Sequence, residues 1–248
     1  GRSDRTEVVA DTENFPTDRF VLEGVAAEHG LTVRWITPDA SHGVTEAQVR
    51  EVLNEQTAFV LLSNVAFKSG FIADVSAITA AAHEFGALVL WDLCHSVGLV
   101  PMQLDAWGVD LAVGCSYKYL NGGPGAPAFA YVSTAAQQEL TQPVQGWFGA
   151  ADPFGMTETY VPARGIRQMI SGTPPILGLQ PISDMVDLIE EAGIDAIRAK
   201  SIALTEFAAE FADAHLAHYG VRVISPRDPA IRGGHVTLDH PAFKEIVA

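Results

Sequence analysis

Five short runs of almost uninterrupted apolar residues, at 33–36, 58–63, 87–93, 111–115 and 128–132, constrain the fold more than any other feature of this chain. A strand with one wet face alternates apolar and polar side chains, whereas a strand covered on both faces does not. Amphipathic segments stand between or beside these runs, at 18–29, 45–53, 75–85 and 135–140. Thr45 with Gln48 has the form of a capping box, and Asp74 that of a helix N-cap. Doubly covered strands alternating with helices predict an α/β fold with a mostly parallel sheet flanked by helices.

The pattern changes after Gly146. Residues 146–175 are rich in Gly, Pro and aromatic side chains without a clean period, which predicts a long ordered loop. Two helical stretches are expected at 176–192 and 195–218, broken at Gly193, with Asp195 capping the second. Short strands are expected at 221–224 and 235–238. The chain thus divides into a large domain, residues 1–175, and a connecting helix with part of a small C-terminal α/β domain, residues 176–248. The polar start from Gly1 to Arg5 has no apolar stretch behind it, so no signal peptide is expected. The absence of an initial Met and of a closing element after Val247-Ala248 points to a piece of a longer protein.

Charge narrows the partners. Fifteen basic residues against 30 acidic ones leave a net charge of -15, which disfavours nucleic acid and anionic membrane surfaces. No apolar run approaches the ~20 residues of a membrane helix. The two cysteines, Cys94 and Cys115, sit in apolar runs and read as small core residues of a cytoplasmic protein.

Open α/β sheets bind ligands at the carboxyl ends of their strands. Those ends carry Ser63-Asn64, Asp92-Leu93-Cys94-His95 and Ser116-Tyr117-Lys118-Tyr119. Of four lysines, only Lys118 follows a buried-strand pattern and precedes a Gly-rich turn, residues 121–125. A partly desolvated lysine loses basicity and can form a Schiff base. A surface lysine or a simple phosphate contact is the more common reading of position alone. Asp92 shifts that balance. It ends the apolar run 88–91, where a carboxylate needs a partner. A pyridinium N–H is such a partner, and pyridoxal phosphate (PLP) chemistry requires that nitrogen protonated. A helix N-cap remains an alternative for Asp92. Metal binding by Asp92 and His95 is disfavoured, because no further ligands cluster with them. Phe15-Pro16-Thr17-Asp18 reads by itself as a helix start, with Asp18 as cap and Phe15 as staple, and Gly146-Trp147-Phe148-Gly149 as a loop anchor.

Taken together, these segments resemble the kynureninase family, PLP-dependent enzymes of the transferase-like fold type I. The resemblance runs from Asn14 to about Pro241. It is carried in order by FPTD (15–18), LLSNVAFKSG (61–70), WDLCHSVG (91–98), CSYKYLNGGPG (115–125), GWFG (146–149) and SGTPPI (171–176). The resemblance implies that Lys118 carries PLP and shuttles protons, with Asp92 on the ring nitrogen and Asp18 in support. Phe15 would stack on the ring within the segment that includes Pro16 and Thr17, His95 would line the pocket, and Ser63 and Tyr117 would bind the cofactor. Tyr117 is also implied as a proton donor. Trp147 and Thr173 would reach the phosphate from a partner subunit, which implies a homodimer. The implied reaction is hydrolysis of L-kynurenine to anthranilate and L-alanine in tryptophan breakdown. Thr173, where some members have Asn, implies a preference over 3-hydroxykynurenine. The family's Leu-Thr phosphate loop would precede Gly1, and its substrate-clamping arginine would follow Ala248. Competing readings are a class V aminotransferase, a cysteine desulfurase, which needs a mobile nucleophilic cysteine, and a truncated non-catalytic relative. Arg164 and Arg167 read as solvated loop charges.

Overall fold

A computed structural model describes residues 4–247. Residues 1–3 of the polar start, and Ala248, lie outside the described residues. Six strands form the main sheet: β1 (Glu7–Asp11), β2 (Thr32–Ile36), β3 (Thr57–Ser63), β4 (Leu88–Asp92), β5 (Leu111–Gly114) and β6 (Phe129–Val132). Their order is β2-β1-β3-β4-β5-β6, with every pairing parallel except that of β5 with β6. The expected α/β fold with a mostly parallel sheet is therefore what forms.

The helices α1 (Pro16–His29), α2 (Glu46–Val52) and α3 (Val75–Glu84) connect the parallel strands. Thr45 and Gln48 make both halves of the capping box on α2, and the Asp74 side chain accepts from the Ala77 N–H at 2.9 Å. The core lies between β1, β3, β4 and β5 and the helices α2 and α3. Val9, Val60, Leu62, Ile78, Val89 and Trp91 are almost fully enclosed there, each worth about 1.5–3 kcal/mol of burial. Trp91 carries its one polar group to a partner, its indole N–H donating to Thr79 Oγ1 at 3.1 Å.

Several local expectations need correction. β1 was not anticipated, because EVVAD offers only three consecutive apolar residues near the start of the chain. Its central place comes from neighbours on both sides, β2 and β3, which bury Val8, Val9 and Ala10. α1 begins at Pro16, with Phe15 at the N-cap, so Asp18 lies inside the first turn rather than capping it. α5 (Ile176–Ala192) and α6 (Ile194–His215) meet at Gly193, which takes a positive φ of 77°. Gly193, not Asp195, occupies the N-cap of α6. α6 ends earlier than expected, and a 3-10 turn covers Ala217–Tyr219. The expected 235–238 strand shrinks to β8 (Leu238–Asp239), which pairs antiparallel with β7 (Arg222–Val223). One-turn α4 (Ala136–Glu139) and α7 (Phe243–Val247) complete the helices among the described residues.

Candidate active site

The strand order reverses between β1 and β3: β2 lies on one side of β1, while the chain proceeds from β3 towards β6 on the other. Such a reversal opens a crevice at the carboxyl ends of the two strands. Asn14 follows β1 and Ser63 ends β3, and their side chains meet there, Ser63 Oγ donating to Asn14 Oδ1 at 2.8 Å. Asn14 Oδ1 also accepts the Phe15 N–H at 2.8 Å, which sets the start of α1 over the sheet.

Asp92 ends β4 directly beside Ser63, its register partner. It is buried, and its Oδ1 accepts the Cys94 N–H at 2.7 Å. Its Oδ2 lies 3.3 Å from Ser63 Oγ, but that hydroxyl has one proton and a shorter bond to Asn14. Oδ2 is thus weakly partnered. Asp18, from the first turn of α1, faces it. Asp18 Oδ2 is buried without a hydrogen-bond partner. Burial, then the Asp92 charge, push the Asp18 carboxyl up to about 6, with Lys118 pulling the other way. The two facing carboxylates fit a protonated ring nitrogen, whose single N–H would donate to one of them while its positive charge offsets both.

Lys118 follows β5 and is half-buried. Its Nζ lies 3.2 Å from His95 Nε2, and 5.7 Å and 5.9 Å from the ring centres of Phe15 and Tyr117. Burial, then the Lys118 charge, lower the His95 ring to about 4, so it is neutral at pH 7 and can accept from the amine. Asn121, with φ of 53°, and Gly122 turn the chain back sharply, their N–H groups donating to the carbonyls of Lys118 and Ser116. An open cleft of about 480 Å³ lies above, lined by Phe67, His95, Lys118, Tyr119, Asn121 and His235. Phe15 meets Phe67 edge-on at 5.4 Å.

Phe15, Asp18, Ser63, Asp92, His95, Tyr117 and Lys118 are thus gathered at the carboxyl end of the sheet. Pro16 and Thr17 are exposed at the start of α1, and neither has a polar side-chain contact with this group among the described residues. Trp147 packs against Phe148 and Phe154, and Thr173 is exposed. No hydrogen bond or ring contact joins Trp147 or Thr173 to the group among the described residues. The glycines around Trp147 have a local reason. A Cβ on Gly146 would lie 1.7 Å from the Ser171 carbonyl oxygen, and one on Gly149 2.5 Å from that of Ile170, so the two loop segments pass backbone to backbone. Cys115 is buried, as expected, while Cys94 is only half-buried. Burial, then Asp92, push the Cys94 thiol well above its ordinary range, which disfavours a nucleophilic thiolate.

Sequence reasoning missed Asn14, Phe67 and His235. The available signal for His235 was the preceding Gly233-Gly234 pair. A Cβ on Gly234 would lie 2.1 Å from Leu99 Cδ2, so the glycine marks a close approach of this segment to the large sheet's loops.

The family model for aminotransferase class-V matches residues 3–242. The chain belongs to the aminotransferase class-V family. It is similar to the kynureninase of Pseudomonas fluorescens, 38% identical over 96% of this chain and 56% of that protein. It is also similar to that of Deinococcus radiodurans, 36% identical over 99% of this chain and 58% of the relative. This class-V chain therefore spans rather more than half the length of the curated relatives it matches. Among solved structures, the cysteine desulfurase of Thermococcus onnurineus NA1 superposes with a TM-score of 0.83 at 19% identity, covering 96% of this chain and 57% of its own. A C-DES mutant with glycine covalently linked to its PLP cofactor gives 0.84 at 19%, covering 98% and 64%. Identities this low show the fold alone, the fold type I architecture of PLP-dependent aminotransferase-like enzymes.

Proposed function

We propose that this class-V chain is the cofactor-binding part of a kynureninase, a PLP-dependent hydrolase that cleaves L-kynurenine with water into anthranilate and L-alanine. The observation that carries the reading is the convergence of Lys118 Nζ on His95 and the Phe15 ring, with Asp18 and Asp92 meeting beside them. The kynureninase relatives support it and favour it over an aminotransferase. The raised Cys94 thiol speaks against a desulfurase.

Pyridoxal phosphate, when bound, supplies a protonated ring that draws electrons from the substrate's α-carbon. Lys118 Nζ would hold the cofactor, and its free amine would carry the α-proton. His95, neutral, accepts a hydrogen bond from that amine and orients it. Asp92, with Asp18 beside it, would keep the ring nitrogen protonated. Phe15 would cover the ring, and Ser63 sits beside Asp92 at the floor. Tyr117 is more than half exposed, and the nearby Cys115 raises its phenol, so it keeps its proton at pH 7 and can donate it as the β–γ carbon bond breaks. Water adds at the γ-carbonyl; its oxygen leaves in the anthranilate carboxylate, one proton is delivered to the β-carbon that becomes the methyl of alanine, and one is released to solvent.

Residues 1–175 would form the cofactor-binding unit and 176–248 the start of a smaller one. A homodimer of cytoplasmic chains follows from the same reading, with Trp147 and Thr173 serving the partner's site. No helix among the described residues is long and apolar enough to cross a membrane. Thr173 favours L-kynurenine over its 3-hydroxy form. Release of fluorescent anthranilate from L-kynurenine by the protein with PLP tests the reading. Amino transfer to an added keto acid with no anthranilate would overturn it, and faster turnover of 3-hydroxykynurenine would overturn the preference.

A further inference from the structure

His235 belongs to the segment between β7 and β8, far in sequence from the strand ends, yet it lines the cleft beside Lys118. The segment is fixed there by backbone pairing. The Ile72 N–H donates to the Ile231 carbonyl at 2.8 Å, the Gly233 N–H to the Gly70 carbonyl at 2.6 Å, and the Thr237 hydroxyl to the Lys68 carbonyl. From behind, the buried Arg232 guanidinium donates to the carbonyls of Pro226 and Arg227 at 3.0 and 2.9 Å and to Thr205 Oγ1 at 3.2 Å. The imidazole then rests on Gly70: a Cβ there would lie 3.4 Å from its Nε2. Its ring centre is 5.8 Å from that of His95.

A histidine held this firmly is usually a packing residue with both nitrogens satisfied. Here Nε2 is buried without a hydrogen-bond partner among the described residues. Burial and the Lys118 charge lower its basicity, and the Phe67 carbonyl acts in the opposite sense. The ring is therefore neutral at pH 7, with one nitrogen that donates and one that accepts. The cleft lining explains what such a ring is for. It holds one cation, Lys118, no carboxylate, two imidazoles, an amide, a phenol and a phenyl ring. That set suits an uncharged aromatic group with polar substituents, and offers nothing to a second cation.

We propose that His235 contacts the substrate and selects its aromatic end, hydrogen bonding to the amino group beside the ketone. This rests on the kynureninase reading and names the side chain that reads the aryl group. The test uses the protein loaded with PLP and two ligands that differ only in that amino group, anthranilate and benzoate. Calorimetric titration of each gives the ratio of their affinities. One hydrogen bond predicts that the unaltered protein prefers anthranilate by about 3–10-fold. In His235→Phe the ratio should fall to about one, while the absorbance of bound cofactor and its borohydride-fixed attachment at Lys118 stay unchanged. His235→Gln, which reaches as far and keeps both a donor and an acceptor, should retain the preference, whereas the shorter His235→Asn should lose it. The Gln and Asn pair carries the test by itself if the Phe variant fails to fold. An unchanged ratio in the Phe or Asn variant overturns the proposal and leaves the kynureninase reading standing. Equal affinities in the unaltered protein overturn the proposal for His235 at once, while anthranilate release from L-kynurenine judges the underlying reading separately.

Discussion

The floor of the cleft and the stretch from Gly146 to Leu177 make opposite use of their side chains. At the floor, Ser63 donates to Asn14 at 2.8 Å and the Cys94 N–H to Asp92 at 2.7 Å, all within one chain. In the other stretch large apolar side chains face outward: Leu177 is 90% exposed, Met156 80% and Phe154 74%. Scattered exposed apolar residues are ordinary, but large ones gathered on one loop and the helix after it mark a surface built to be covered. The polar contacts of the first region close within the chain. The second acts only once something packs on it, which under the proposed function is a second copy bringing Trp147 and Thr173.

Four experiments can break or sharpen this contrast. The largest effect is expected for Lys118→Ala, which should abolish the borohydride-fixed pyridoxyl adduct while leaving the unfolding midpoint unchanged. Adducts on Lys68, Lys200 or Lys244 instead would mean that the floor is not self-sufficient. Next, Asp92→Asn removes the charge from a charge-assisted hydrogen bond worth about 1.5–3 kcal/mol, so cofactor affinity should drop roughly 10–150-fold. Titration of the bound-cofactor absorbance measures it, and a change below threefold would remove Asp92 from the ring nitrogen.

The third effect depends on pH. Asp18 and Asp11 both titrate near 6, above the ordinary 3.8, chiefly because they are buried. The folded state therefore binds their protons more tightly than the unfolded chain does. Their contribution to stability is full below about pH 4 and is lost as pH rises through 6. His95 acts oppositely: its ring titrates near 4, so the folded state resists its protonation and stability falls as pH drops below about 6.5. A bound ring N–H relieves Asp18 but leaves Asp11 untouched. The rise in unfolding midpoint on adding PLP should thus be larger at pH 7.5 than at pH 5, and Asp18→Asn should flatten the difference. An equal rise at both pH values in the unaltered protein would separate Asp18 from the cofactor. The smallest effect on the chain's own stability is expected at the second region. Leu177→Glu should change it by less than about 0.5 kcal/mol, yet lower the mass seen by light scattering to that of one chain. An unchanged mass would mean that Leu177 is not covered by a second copy.

The parallel sheet, most helix positions and the residues Asp92, His95 and Lys118 were legible in the sequence, and the reason is local. Doubly buried strands write continuous apolar runs, caps write short polar signatures, and strand ends follow from both. Asp74 and the Thr45–Gln48 box cap their helices as read, because the bonds involved span three residues. Lys118 and Asp92 were conspicuous as polar side chains set against apolar surroundings. What escaped is non-local. β1 is a strand because β2 and β3 hydrogen-bond to it from either side, not because EVVAD has strong propensity. Asp18 owes its raised titration first to burial and then to Asp92, 74 positions away along the chain but adjacent in space. His235 enters the cleft because Gly70 leaves room for its ring and the 231–237 segment pairs with the loop after β3, contacts no short window of sequence can express. Composition and period determined which segments become strands and helices. Only the tertiary structure decided which side chains share a cleft, since that depends on strand order and on backbone approaches made possible by residues without a side chain.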